Sequence, residues 1–122
     1  YWLQYYCSHF LTGKVNRRTI QRIDAFSETS FRVDAEHSFA HPAIESGFKR
    51  LMPEARSDGV AAMGVYNSYN EATWGYHNGF LARSGLLALG ANNVVPSVAP
   101  PGGKNPIIGT NPISFAVSAP KG

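Results

Sequence analysis

The chain has 122 residues, 43% hydrophobic and 16% charged, with a formal charge of +3, a balance that suits a compact globular unit rather than a disordered one. Its basic residues are dispersed without an arginine-rich tract, which argues against a nucleic-acid partner, and its apolar runs at 59–65 and 85–91 fall far short of the roughly 20 residues that span a bilayer. A lone Cys7 excludes an internal disulfide and a zinc ribbon and makes a reducing, cytoplasmic compartment the expectation.

The opening Tyr-Trp-Leu-Gln carries neither an initiator Met nor a targeting signature and reads as a chain joined mid-sequence. Trp2, Leu3, Tyr6, Phe10 and Leu11 recur three and four apart, which predicts a helix whose stripe enters the core and which Gly13 terminates. Residues 29–35 alternate, with Phe31 and Val33 set against Ser30, Arg32 and Asp34, and read as a half-buried strand. Pro42 suits the first turn of a second helix, with Ile44, Phe48, Leu51, Met52 and Ala55 on one face. Pro53 lacks a backbone donor and clashes with the turn before it, so a kink or an early end is expected near Leu51.

After Asp58-Gly59, residues 60–66 are short, apolar and small, and predict a buried strand. A third helix is expected over 72–83, with Trp74, His77, Phe80, Leu81 and Ser84 inward and Ser84-Gly85 as its stop, followed by a strand over 86–91. Between 92 and 112, the prolines at 96, 100, 101, 106 and 112 and the glycines at 102, 103 and 109 forbid a long helix and impose ordered turns. Residues 113–117 alternate into a last strand. Strands and helices thus take turns, as in an α/β or α+β domain, and spacing alone leaves parallel and antiparallel pairing open.

For chemistry, His9, His37, His41 and His77 lack partners at metal-ligand spacing, so no metal site is expected, and His41 falls at a helix start. Asn67-Ser68-Tyr69-Asn70-Glu71 lies between a strand and a helix, where it either grips a ligand beyond the strand end or caps the helix that follows. Asn92 and Asn93, Gly102-Gly103 and Gly109-Thr110-Asn111-Pro112 offer pliable backbone with amide and hydroxyl groups. Without a GxGxxG or a P-loop, any nucleotide is held by something other than a Rossmann fingerprint. Ser27 and Ser57 have no nucleophile-elbow context.

Pro100-Pro101-Gly102-Gly103, Pro106-Ile107 and Gly109-Thr110-Asn111-Pro112-Ile113 resemble the "P-x-G-G … P-L-x-G-T-N-P-I" segment of the malate/L-lactate dehydrogenase family. The likeness extends to residues 1–16, to Val33-Asp34-Ala35 with Phe39-Ala40 and Pro42-Ala43, to Ala55-Arg56 with Asp58-Gly59-Val60, to Asn67-Ser68 before Trp74, and to Gly85-Leu86-Leu87. It implies a non-Rossmann α/β (α+β) fold with a mixed, largely antiparallel sheet flanked by helices. Residues 1–27 would be a helical lead-in and 28–122 part of the cofactor-binding sheet domain, the whole forming a middle segment of a larger enzyme.

The resemblance also implies hydride transfer between NADH or NADPH and a small 2-oxo or 2-hydroxy acid or cyclic imino acid, in a homodimer. Trp2, Tyr5 and Trp74 are then either aromatic contacts between subunits or ordinary core residues. The family's main proton-donating histidine and a carboxylate-binding arginine belong to a segment upstream of Tyr1. Asn70 stands at the position of a second family histidine, where it can hydrogen-bond but cannot transfer a proton near neutrality. Ser68, Asn93, Gly109, Thr110, Asn111 and Pro112 are the implied cofactor-binding residues, with Val94 in place of a family serine. The alternatives are a non-catalytic relative that binds nucleotide or organic acid, and an unrelated basic interaction module.

Overall fold

A computed structural model describes residues 2–70 and 73–119, which belong to two units, Tyr1–Ala72 and Thr73–Gly122. The first unit begins with helix α1 (Trp2–Leu11), which stops where Gly13 takes a left-handed φ of 76°. The Arg17 guanidinium then donates to the carbonyls of Phe10 and Leu11, satisfying orphan acceptors of the last turn. Of the expected core stripe, Leu3, Phe10 and Leu11 are 74%, 40% and 71% exposed and Tyr6 is half-buried, while the burial of Trp2 lies outside the description. Instead α1 meets its own unit through Tyr6 and His9, whose rings pack edge-on against Tyr69.

Strands β1 (Arg22–Ala25), β2 (Ser30–Asp34) and β3 (Ala62–Tyr66) form a sheet in that order, with helix α2 (Ala40–Asp58) between β2 and β3. β1 has no counterpart in the sequence reading, because its four residues, Arg-Ile-Asp-Ala, are too few and too polar to show a period. It pairs antiparallel with β2 through a tight turn in which the Phe26 and Ser27 amides donate to the Ser30 carbonyl. β2 pairs parallel with β3, in register Phe31↔Met63 and Val33↔Val65.

Phe31 and Val33 are essentially sealed, and α2 buries Ala43, Ile44, Gly47, Phe48 and Leu51. Each large apolar side chain removed from water in this way contributes about 1.5–3 kcal/mol. A Cβ at Gly47 would stand 2.5 Å from the Met63 sulfur and 3.2 Å from a Val33 methyl, so any larger residue there displaces the Met63 side chain. α2 does not end near Leu51 but continues through Pro53 to Asp58, where Gly59 closes it at φ 84°. Pro53 and Lys49, whose carbonyl loses its partner amide, are both exposed, so the break in the hydrogen-bond ladder falls on the solvent side of the helix. β3 is half-exposed rather than buried, with Ala62 and Gly64 open, because it stands at an edge of the sheet formed by the described residues.

In the second unit, helix α3 (Trp74–Arg83) packs on an antiparallel pair, β4 (Ala88–Ala91) and β5 (Ile113–Ala116). Its buried residues are His77, Asn78, Leu81 and Ala82, whereas Phe80, expected inward, is 45% exposed. Asn78 takes the inward place because its Nδ2 donates to the Ser114 carbonyl at 3.0 Å. A Cβ at Gly90 would stand 2.6 Å from the Trp74 ring, so the strand backbone lies directly against the indole. The whole is the expected mixed, largely antiparallel α/β arrangement, divided between two small sheets. No helix among the described residues is long and apolar enough to cross a membrane.

Candidate functional site

Because β2 and β3 run parallel, both strands end at one edge of their sheet, and the chain leaving each is drawn into contact there. The Ala35 amide donates to the Tyr66 carbonyl at 3.0 Å, His37 to Asn67 at 2.7 Å, Tyr69 to Ser38 at 2.7 Å and Ala40 to Tyr69 at 3.1 Å. These bonds zip the loop before α2 to the turn after β3. Four non-glycine residues in this zipper hold positive φ: Glu36 at 49°, His37 at 60°, Asn67 at 49° and Asn70 at 37°. L-residues occupy that region at a cost, and such strain concentrates at functional sites.

The Asp34 carboxylate organises the zipper. Oδ1 accepts the Glu36 amide at 2.9 Å and Asn67 Nδ2 at 3.1 Å, and Oδ2 accepts from the Arg22 guanidinium at 3.1 Å. Asp34 is only 5% exposed although strand alternation assigns it to the open face, because these partners cover it. The Glu36 amide, followed by Asn67 and the other donors, holds its carboxyl below the usual carboxylate range against the opposing effect of burial.

Ser68 and Asn70 are exposed on the turn while Tyr69 between them is half-buried. The Tyr69 hydroxyl meets His9 Nδ1 at 2.5 Å, the Lys14 ammonium stands 6.0 Å over its ring, and Phe39 packs edge-on at 5.6 Å. Burial, and after it the nearby Lys14 charge, lowers the His9 pKa. Burial raises the Tyr69 pKa. Helix α3 starts at Trp74, with Thr73 rather than a residue of this turn as its N-cap. Glu71 lies outside the described residues.

The remaining candidates belong to the second unit. The Asn92 amide donates to the Pro112 carbonyl at 3.1 Å and the Val94 amide to Asn111 Oδ1 at 2.9 Å, so the Gly109–Asn111 turn clasps the chain leaving β4. The contact admits only glycine at 109, since a Cβ there would lie 2.1 Å from the Val94 carbonyl oxygen. Asn111 contributes its side chain from a left-handed φ of 38°. Val98 and Ile108 bridge antiparallel further out, which makes residues 94–112 a closed loop. Asn93 and Thr110 present exposed polar side chains beside this fixed backbone, as Ser68 and Asn70 do in the first unit. Exposed hydroxyl and carboxamide groups on rigid backbone, with a glycine where a chain must approach closely, fit a polar cofactor such as a dinucleotide.

Among the residues that organise these turns, the sequence reading missed Asp34 and the His9–Tyr69 pair. Asp34 was discoverable as an acid at the last position of an alternating strand, whereas nothing local links His9 to a tyrosine so distant in sequence.

The chain matches the malate/L-lactate dehydrogenase family over residues 1–122. It belongs to that family. Among the relatives of this dehydrogenase-family chain is a (2R)-3-sulfolactate dehydrogenase (NADP(+)) of Chromohalobacter salexigens, 39% identical over 93% of this chain and 34% of the relative. Another is a Delta(1)-pyrroline-2-carboxylate/Delta(1)-piperideine-2-carboxylate reductase of Pseudomonas putida, 36% identical over 91% of this chain and 33% of the relative. In structure it is similar to the delta1-piperideine-2-carboxylate reductase of Pseudomonas syringae, with a TM-score of 0.87 at 32% identity, covering 96% of this chain and 35% of that one. The chain therefore spans about a third of the length of the relatives it matches.

Proposed function

We propose that this chain is the central segment of an NADPH-dependent oxidoreductase that interconverts a small 2-oxo acid, or a cyclic imino acid, with its 2-hydroxy or amino acid. The observation that carries the reading is family membership along the whole chain, together with the Gly109–Asn111 clasp on the chain leaving β4. NADPH is preferred over NADH because the sulfolactate dehydrogenase relative is named for NADP(+).

When bound, the nicotinamide supplies the hydride that adds to the carbonyl or imine carbon, while a proton goes to its oxygen or nitrogen. Ser68, Asn93 and the turn of Gly109, Thr110, Asn111 and Pro112 hold the cofactor. Asn70 orients substrate by hydrogen bonding and leaves proton transfer to a group outside this chain. The same reading makes the protein cytoplasmic and a homodimer.

The test is titration of the complete gene product with NADPH and NADH, then turnover of a panel of 2-oxo acids and cyclic imines followed at the nicotinamide absorbance. Turnover with NADPH, lowered by Asn70→Ala, is the expected result. Cofactor binding with no turnover of any acid or imine marks a non-catalytic relative, the reading that the Asn70 replacement favours, and binding of neither nucleotide overturns both.

A further inference from the structure

We propose that Asp34 is a positioning residue: its carboxylate, acting through Asn67, sets the conformation of the turn that presents Ser68 and Asn70. The inference rests on the function proposed above for those two residues. Asp34 spends one oxygen entirely on two loops, accepting at Oδ1 from the Glu36 amide at 2.9 Å and from Asn67 Nδ2 at 3.1 Å. Both donors belong to residues with positive φ, 49° in each case. A buried anion with fixed donors is a means of stabilising such backbone, because charged acceptors make the stronger hydrogen bonds and leaving an anion unpaired is costly.

Asn67 is then more than a turn residue. Its carbonyl accepts the His37 amide while its side chain reaches Asp34, so one residue locks the turn from both sides. Arg22 holds the other oxygen of Asp34 and is itself 63% exposed at its side chain, which makes it the weaker and replaceable partner. The neighbouring carboxylate on this face, Asp24, offers an internal comparison. It binds Arg32 at 3.1 Å, the Tyr66 hydroxyl at 3.0 Å and, at 3.7 Å, Arg22, the arginine that also holds Asp34. Loss of Asp24 disturbs the sheet-face ion network, including the shared Arg22, while both partners of Asp34 Oδ1, the Glu36 amide and Asn67 Nδ2, stay present.

The test uses the complete gene product with Asp34→Asn, Asn67→Ala, the exchange Asp34→Asn/Asn67→Asp, and Asp24→Asn. Two readouts are taken per folded molecule: amide hydrogen exchange at His37 and Tyr69 without nucleotide, and kcat and KM with NADPH and substrate. Asp34→Asn and Asn67→Ala are expected to accelerate exchange at both amides and to lower kcat about tenfold or more, since small displacements of positioned groups are expensive in rate. The exchange variant, which restores a carboxylate–carboxamide pair, is expected to recover part of both, and Asp24→Asn to change neither. Unchanged amide exchange in Asp34→Asn overturns the proposal. So does faster exchange with kcat and KM intact, which would make Asp34 purely structural. If the unaltered protein binds no nucleotide, the functional reading fails separately, and faster exchange in Asp34→Asn would still support the turn-setting role.

Discussion

Single atoms decide the behaviour of the two turns. At Gly109 the margin is smallest: a methyl group would meet the Val94 carbonyl oxygen at 2.1 Å and Asn111 Oδ1 at 2.6 Å. Gly109→Ala must push the clasp apart and is expected to cost about 1–3 kcal/mol, as overpacking of a tight contact does. Urea unfolding of the variant measures that loss, and NADPH titration is expected to show weaker binding with it. Asp34 and His9 make the molecule sensitive to acid in two stages. His9 has a lowered pKa in the folded chain, so its contribution is complete above about pH 6.5 and declines as pH falls below that value. Asp34 has a lowered pKa as well, and its contribution is complete above about pH 4 and is lost as pH falls through the folded-state value. The urea midpoint should therefore drop in two steps on acidification, with His9→Gln removing the upper step and Asp34→Asn reducing the lower, which Asp24, held below the usual carboxylate range by the Tyr66 hydroxyl and Arg32, shares.

Among the elements, α2 carries the plainest lesson. Its apolar face was legible from the spacing of Ile44, Phe48 and Leu51, yet its length was not, because the local penalty of Pro53 is outweighed by burial of that face on β2 and β3. Pro53→Ala restores an amide to the Lys49 carbonyl and is expected to raise the urea midpoint, adding about 1 kcal/mol or more of the roughly 3 kcal/mol that separates proline from alanine inside helices. β2 was legible because Phe31 and Val33 alternate with polar residues. β1 was not, since a four-residue strand defined by pairing to its neighbour carries no period of its own. The turn of Asn67 to Asn70 could be placed at a strand end by its polar composition, but its anchoring by Asp34 and His9 is a tertiary fact. In α3, Phe80 leaves its expected inward place and Asn78 is buried, where a hydrogen bond to Ser114 rewards its carboxamide. The glycine facing this helix is similarly constrained, and Gly90→Ala should destabilise the second unit measurably by forcing the rigid Trp74 ring to move.

For the molecule as a whole, the telling surface is the face of β4 and β5 turned away from α3. Leu89 is 72%, Ile113 77% and Phe115 62% exposed, and the register sets Leu89 against Phe115 and Ala91 against Ile113. Large contiguous apolar surface is uncommon on monomeric soluble proteins. The 122-residue chain produced by itself is therefore expected to self-associate, with sedimentation coefficients that rise with concentration, and Leu89→Lys/Phe115→Lys to suppress the effect.

The parallel pairing of β2 with β3 also has a consequence in time. The β1–β2 hairpin closes over a turn of a few residues, whereas β3 reaches β2 only after the whole of α2 has been laid down. Closing the longer loop costs more entropy before any contact is gained. In a refolding experiment with pulsed hydrogen exchange, the Phe26 amide should acquire protection before the Ala62 and Ala35 amides, which wait for Thr29 and Tyr66. The turn bearing Ser68 and Asn70 is then among the last parts of its unit to settle, and a chain slow to complete α2 would be slow to acquire its ligand.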